Sequence, residues 1–369
     1  MNRNQTWCIP RIGRKVAGRH QASPRFLPAF IATACLFLLG TSAHAAGGTG
    51  GGTQAYQPGD GWTVPHTDLT LGGYASSSLT KETSQPWTLD LSHLSLFLWW
   101  NGDSRLRFFS ETDLENSVQV RARHTSTDGA YLALERLYAD WTQSDELNFR
   151  IGKFLTPIGR WNLIHAQPLV WTTSRPVITE QVFPTNATGA MIYGTLTSVG
   201  AGLDYSVYGS IGKELRPDPD QDTFKEAYGV HFSYPVQPDL QLGLSYANFE
   251  QKHEIGEHKN LLGVDGVWAR DGYEISAEAA WRFSSNGGGA DEKGGFIQGV
   301  IPVADKLYAV GRYEYLQQSG EDNGNSLWLA GMDYRWNRSL IFKTEFSKSE
   351  HSNWTHEPGG FLASLAALF

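Results

Sequence analysis

Cysteine is nearly absent from this chain. Its 369 residues contain two, Cys8 and Cys35, and none follows residue 35. That excludes disulfide scaffolds and thiol catalysis from everything C-terminal to that point, along with zinc sites built on cysteine spacing. Long apolar runs are missing too. After residue 45 no stretch of 18 residues is continuously apolar, so no segment reads as a membrane-spanning helix. Basic charge is scarce, with 30 Lys and Arg against 38 Asp and Glu over the whole chain. Only 24 of those basic residues lie beyond residue 45, where all 38 acids are found, for a net charge of −14. A nucleic acid is therefore not an expected partner. Hydrolase signatures are also lacking: there is no G-x-S-x-G and no H-E-x-x-H. His253 and His258 share a charged stretch, EQKHEIGEHK, which reads first as a solvated loop. No cofactor and no metal site is assigned.

What is present begins with an asymmetric N-terminus. Residues 1–45 carry six Lys or Arg and no acid, then an apolar run from Phe26 to Gly40, then Ala43-His44-Ala45. A positive region, an apolar region and a small-x-small site make a cleaved export signal. Residues 46–66, AGGTGGGTQAYQPGDGWTVPH, form a Gly-rich flexible lead. Residues 67–369 then read as one domain.

That domain alternates with a period of two. In GYEISAEAAWRF, Tyr273, Ile275, Ala277, Ala279, Trp281 and Phe283 share one face, and Glu274, Ser276, Glu278 and Arg282 share the other. Leu340, Phe342, Thr344 and Phe346 likewise oppose Lys343, Glu345 and Ser347. This is the strand signal. Sixteen strands are expected, starting near residues 67, 88, 104, 131, 146, 188, 201, 226, 239, 259, 272, 294, 306, 326, 339 and 360. The connections alternate as well. Tight ones (NGD, QSDE, TSVG, PVQPD, ARDG, PVAD, WNRS) are interleaved with longer polar ones such as KELRPDPDQDTFK and SSNGGGADEK. Strands that all cross one slab, with short turns on one side and long loops on the other, are the pattern of a transmembrane antiparallel β-barrel. Trp99, Trp100, Trp141, Trp268 and Trp336 flank the short turns, as an interfacial aromatic girdle requires. The chain ends on Phe369, after LASLAALF, which reads either as a final strand or as a short helix.

A 16-stranded barrel encloses water rather than side chains. One connection breaks the rule that outer loops are polar. Residues 156–187 hold Trp161, Leu163, Ile164, Leu169, Val170, Trp171, Val177, Ile178, Val182 and Phe183. Such a loop is expected to fold inward and constrict the bore. Alternation also places charges on the inner face: Arg105, Arg107, Glu111 and Asp113 opposite Leu106, Phe108 and Leu114; Arg136 opposite Leu137; Arg150 opposite Phe149 and Ile151; Arg312 and Glu314 opposite Tyr313 and Tyr315. Facing lipid at mid-depth, an Arg or Lys would cost about 2–4 kcal/mol, which favours the lumen for these residues. The loop adds Arg160, His165, Arg175 and Glu180, so a mildly electropositive constriction is expected. Bulges are expected near Glu135 and between Leu91 and His93. Asp218, Asp220 and Asp222 belong to an outer loop that meets divalent cations or lipopolysaccharide if it meets any ligand.

RIGKFLTPIG, which leaves the fifth strand, resembles the corresponding glycine-to-proline segment of the phosphate-selective porin O/P family. YADW and GRYEYL resemble wall strands of the same family. The resemblance implies a homotrimer of water-filled channels in a Gram-negative outer membrane, passing small hydrophilic solutes or ions by passive diffusion without catalysis. Anion-selective members line the pore with a dense run of Arg and Lys. This chain has fewer basic positions, so phosphate preference is not carried over. The alternatives are a barrel hydrolase, which needs a nucleophile and a base within reach of each other, and a surface adhesion or structural barrel, which needs longer outer loops.

Overall fold

The computed structural model describes residues 59–82, 85–102, 105–122, 124–164, 166–217, 222–253, 256–285, 291–318, 324–350 and 359–369. The export signal and most of the Gly-rich lead fall outside this set, as do His165, Asp218 and Asp220.

Sixteen strands form the wall. They are β1 (Leu69–Glu82), β2 (Thr88–Asn101), β3 (Leu106–Arg121), β4 (Tyr131–Ser144), β5 (Leu147–Leu155), β6 (Asn186–Leu196), β7 (Leu203–Ile211), β8 (Phe224–Gln237), β9 (Leu240–Gln251), β10 (His258–Arg270), β11 (Tyr273–Ser284), β12 (Glu292–Ala304), β13 (Leu307–Gln317), β14 (Asn325–Arg335), β15 (Leu340–Ser349) and β16 (Gly360–Leu368). Each pairs antiparallel with its neighbour in sequence, and β16 pairs with β1, so the sheet closes. A two-residue bridge, Trp62–Thr63, lies along β1, and His124–Ser126 folds back on the end of β3.

Closure depends on the last residues. LASLAALF is a strand, not a helix: Leu368 lies opposite Tyr74, and Phe369 exchanges hydrogen bonds with Gly73 (2.9 and 3.0 Å). A Cβ at Gly73 would come within 2.0 Å of the Ser95 carbonyl oxygen, which reserves this seam for glycine. At one end the turns are tight. In the β10–β11 connection Asp271 and Gly272 both have positive φ (53° and 84°), which suits the twist of a two-residue hairpin. At the other end lie the longer connections, among them 156–185 between β5 and β6.

Burial is inverted relative to a soluble domain. Ile211, Ile151 and Trp328 are 89%, 67% and 59% exposed, whereas Gln298, Asp333 and Lys343 are 0–1% exposed. The outer face is apolar and the enclosed face polar, as a spanning barrel requires. Bulges occur at Glu135 and between Leu91 and His93. One girdle assignment needs correction. Trp99 shares parity with Ser95 and Phe97 and packs on Phe97 and Phe109 (5.3 and 5.5 Å), on the enclosed face. Trp141 and Trp336 are exposed on the outer face.

Candidate channel and constriction

Four prolines, Pro157, Pro168, Pro176 and Pro184, prevent residues 156–185 from continuing the sheet. The ends of the segment are clasped together. Thr156 N–H donates to Thr185 O (2.8 Å), Thr156 Oγ1 donates to Pro184 O (2.9 Å), and the Asn162 amide donates to both Thr156 O and Thr185 O (2.8 and 3.0 Å). Between them run two short 3-10 turns, Trp161–Leu163 and Gln167–Leu169, and one helical turn, α1 (Val177–Gln181). Most of the apolar residues that set this segment apart in the sequence are covered, although Leu163 and Leu169 are exposed. Ile158, Trp161, Val170, Val177, Ile178, Val182 and Phe183 form one cluster with the wall residues Phe249, Leu261, Phe296, Leu316 and Leu327.

Polar wall side chains hold the segment's backbone. On β11, Glu278 accepts the N–H groups of Arg160 (2.8 Å) and Trp161. On β9, Ser245 Oγ accepts Gly159 N–H (3.1 Å). On β13, Arg312 donates to Thr172 Oγ1 (2.8 Å), Ser174 Oγ (2.8 Å) and Ser174 O (3.1 Å) while paired with Glu314 (2.7 Å), which itself accepts Val177 N–H (2.6 Å). On β15, Glu345 accepts Thr173 and Ser174 N–H (2.8 and 3.0 Å), and Lys343 donates to Gln167 O (2.6 Å). Thr173 also reaches Ser364 on β16 (2.8 Å). These strands lie well round the closed ring from β5 and β6, where the segment starts and ends.

The expected site residues therefore divide. Arg312 and Glu314 are 2% and 1% exposed and serve as anchors, and Glu111 and Asp113 are fully buried in the wall. Arg105 and Arg107 are exposed near the short turns, where Arg105 donates to Gln143 (2.7 Å). Arg136, Arg150 and Arg160 come together around a cavity of about 480 Å³, with Tyr193, His231 and Asp265. Two of these arginines are neutralised. Arg136 pairs with Glu111, and Arg150 holds Asp140 through two bonds (2.7 and 2.8 Å) while stacking 3.7 Å above the Tyr138 ring. Arg160 meets no carboxylate within 4.0 Å among the described residues. Its guanidinium reaches only Gln241, at 3.5 Å. Arg175 lies 3.4 Å from Asn162 Oδ1 and 3.9 Å from Glu180, away from the cavity lining.

Sequence reasoning missed Glu278, Glu345 and Lys343 as functional positions. A signal existed for the two acids. Glu278 faces Asp265 and Phe296 across the sheet, and Glu345 faces Gly331 and Leu362. An enclosed carboxylate without a cross-strand cation needs a partner from elsewhere.

No family model matches the chain. An uncharacterized protein of Aquifex aeolicus is 29% identical over 130 residues, covering 34% of this chain and 29% of that relative. Solved structures match over far more of the chain. Outer-membrane expressed OmpT of Vibrio cholerae superposes with a TM-score of 0.60 at 11% identity, over 84% of this chain and all of that one. An anion-selective porin from Comamonas acidovorans gives 0.58 at 12%, over 82% and 100%. The outer membrane channel DcaP of Acinetobacter baumannii gives 0.54 at 10%, over 84% and 99%. At these identities the likeness establishes the fold: a closed 16-stranded barrel of the kind found among outer-membrane porins and channels.

Proposed function

We propose that this chain is an outer-membrane porin, exported by its N-terminal signal, through which small hydrophilic solutes and ions diffuse passively. Residues 156–185 lie inside the bore and narrow it. The observation that carries this is the ring position of the anchors. A segment that leaves the wall at β5, returns at β6 and is held by polar side chains of β9, β11, β13 and β15 reaches across the lumen. What it leaves open is the cavity lined by Arg136, Arg150 and Arg160. Of the three arginines, Arg160 alone has no paired acid among the described residues, and it is the charge that would favour anions, set against Asp145, Asp204 and Asp265 of the same lining. The anion-selective porin and the DcaP channel among the structural neighbours support a channel. The trimer form recorded for OmpT, together with the resemblance of RIGKFLTPIG, YADW and GRYEYL to porin O/P sequences, supports a homotrimer embedded in outer-membrane lipid and lipopolysaccharide.

One arrangement favours a second reading, a barrel hydrolase. His231 Nδ1 lies 2.8 Å from Ser245 Oγ, and Asp265 is close by. But Asp265 approaches the same ring nitrogen, at 3.9 Å, instead of orienting the ring from the other one. Ser245 is fully buried and already accepts the Gly159 amide. That geometry suits a structural hydrogen bond.

Planar-bilayer recording tests the channel directly. The purified protein is expected to insert in three-step conductance increments, with a reversal potential in a salt gradient displaced toward anions. Absence of conductance, with covalent labelling of Ser245 by a serine-reactive phosphonate, would establish the hydrolase instead.

A further inference from the structure

The inner wall opposite the anchored segment holds a group of side chains that the channel does not use. The bulge between Leu91 and His93 reverses the facing of β2. Leu89 and Leu91 point outward before it, and His93 joins Ser95 and Phe97 on the enclosed face after it. His93 then lies directly across from Glu115 on β3, with Asp113 two residues further along the same face. One donor atom from each of His93, Asp113 and Glu115 lies within 4.8 Å of the others, and His93 Nδ1 is 3.9 Å from Asp113 Oδ2. Among the described residues, His93 Nδ1, Asp113 Oδ1 and, two residues before Asp113, Glu111 Oε1 have no hydrogen-bond partner. Asp113 and Glu111 are both 0% exposed. Asp113 meets no Lys or Arg within 4.0 Å among the described residues. A buried carboxylate in that position is held either protonated or balanced by a cation.

We propose that His93, Asp113 and Glu115 form a binding site for a divalent transition-metal ion of the zinc type on the lumen face of β2 and β3. An imidazole nitrogen with two carboxylates suits zinc or manganese better than the all-oxygen shells of calcium and magnesium. Metal–ligand distances of about 2.0–2.2 Å fit three donors so spaced after small rotamer adjustments. A second tier is in place. Tyr131 Oη donates to Glu115 Oε2 (2.6 Å), and Tyr74 Oη lies 3.5 Å from Asp113 Oδ2, leaving Asp113 Oδ1 free. The His93 side chain is 27% exposed, with its Nδ1 atom covered. Arg175 of the loop acts electrostatically on His93 and opposes the bound ion. The other cluster of comparable donors, Glu226, Glu250 and His258, is less available, because Glu250 already holds Lys225 through both oxygens (2.9 Å each) and accepts the Gly256 amide. The ion would cross-link β2 to β3 beside the bulge and make the inner wall more positive.

The test is titration of the intact detergent-solubilised barrel with Zn²⁺ alone, by calorimetry. One ion per chain is expected to bind. His93→Ala and Asp113→Asn should each weaken it on the order of ten-fold or more, and His258→Ala should leave it unchanged. Should the substituted barrels fail to fold, zinc-edge X-ray absorption on the unsubstituted protein decides, with one imidazole nitrogen among oxygen neighbours expected. No binding, an all-oxygen shell, or loss of binding in His258→Ala instead of His93→Ala would overturn the assignment.

Discussion

The two sides of the enclosed wall carry similar chemistry and use it differently. On β11, β13 and β15, Arg312, Glu314, Lys343 and Glu345 are nearly or wholly covered and Glu278 is half-buried, and all five hydrogen-bond to residues 156–185. On β4 to β10, Arg136, Arg150, His231 and Asp265 line open space. Charge on an inner face is thus not evidence of contact with a permeating ion. On the proposed reading, a charged side chain there can hold the segment in place or line the passage. Which of the two it becomes depends on where the segment lies, and that is a long-range property.

Removing the segment itself should have the largest effect. Replacing residues 160–182 with a short Ser-Gly bridge is expected to raise single-channel conductance several-fold and abolish ion preference. Unchanged conductance would mean the segment does not narrow the bore. Next comes Arg312→Ala, which strands Glu314 without its buried partner, at a cost of about 3–5 kcal/mol. The check is the denaturant midpoint of unfolding, accompanied by noisier open-channel current. Glu314→Gln combined with Arg312→Ala should recover part of that loss. On the open side, Arg160→Ala should move the reversal potential toward cations with little change in stability, whereas Arg150→Ala leaves Asp140 without its cation and should also lower the denaturant midpoint of unfolding. The smallest effect is expected for Asp222→Asn in an outer loop, where the exposed pair with His253 (2.7 Å) is worth about 0–1 kcal/mol and conductance should not change.

Much of the wall was legible in the sequence. Alternation such as Tyr273, Ile275 and Trp281 against Ser276 and Arg282 is local, and the apolar outer face of the barrel enforces it over every strand, so strand positions, both bulges and the tight turns all follow from it. The interrupting segment was legible for a related reason: its prolines and aromatic residues suit neither a strand nor a water-exposed loop. Its anchors were harder to find. Arg312 and Glu314 have the right parity for lumen residues, but parity does not report that Thr172, Ser174 and Val177 lie on top of them. Trp99 was misassigned because proximity to a turn says nothing about facing, which its register with Phe97 determines. The last strand was ambiguous because Leu362 and Leu368 supply apolar residues on the face that elsewhere is polar; Leu368 packs there beside Tyr74, next to the seam at Gly73.

Thiol blocking during current recording probes the central claim most directly, since no cysteine follows residue 35 and one introduced into a chain that begins at Ala46 reports alone. With Arg160→Cys in a planar bilayer, a charged methanethiosulfonate reagent should reduce the current in discrete steps, whereas Ile178→Cys, buried against the wall at 3% exposure, should not respond. Unaltered current after complete modification at position 160 would contradict a constriction built from residues 156–185.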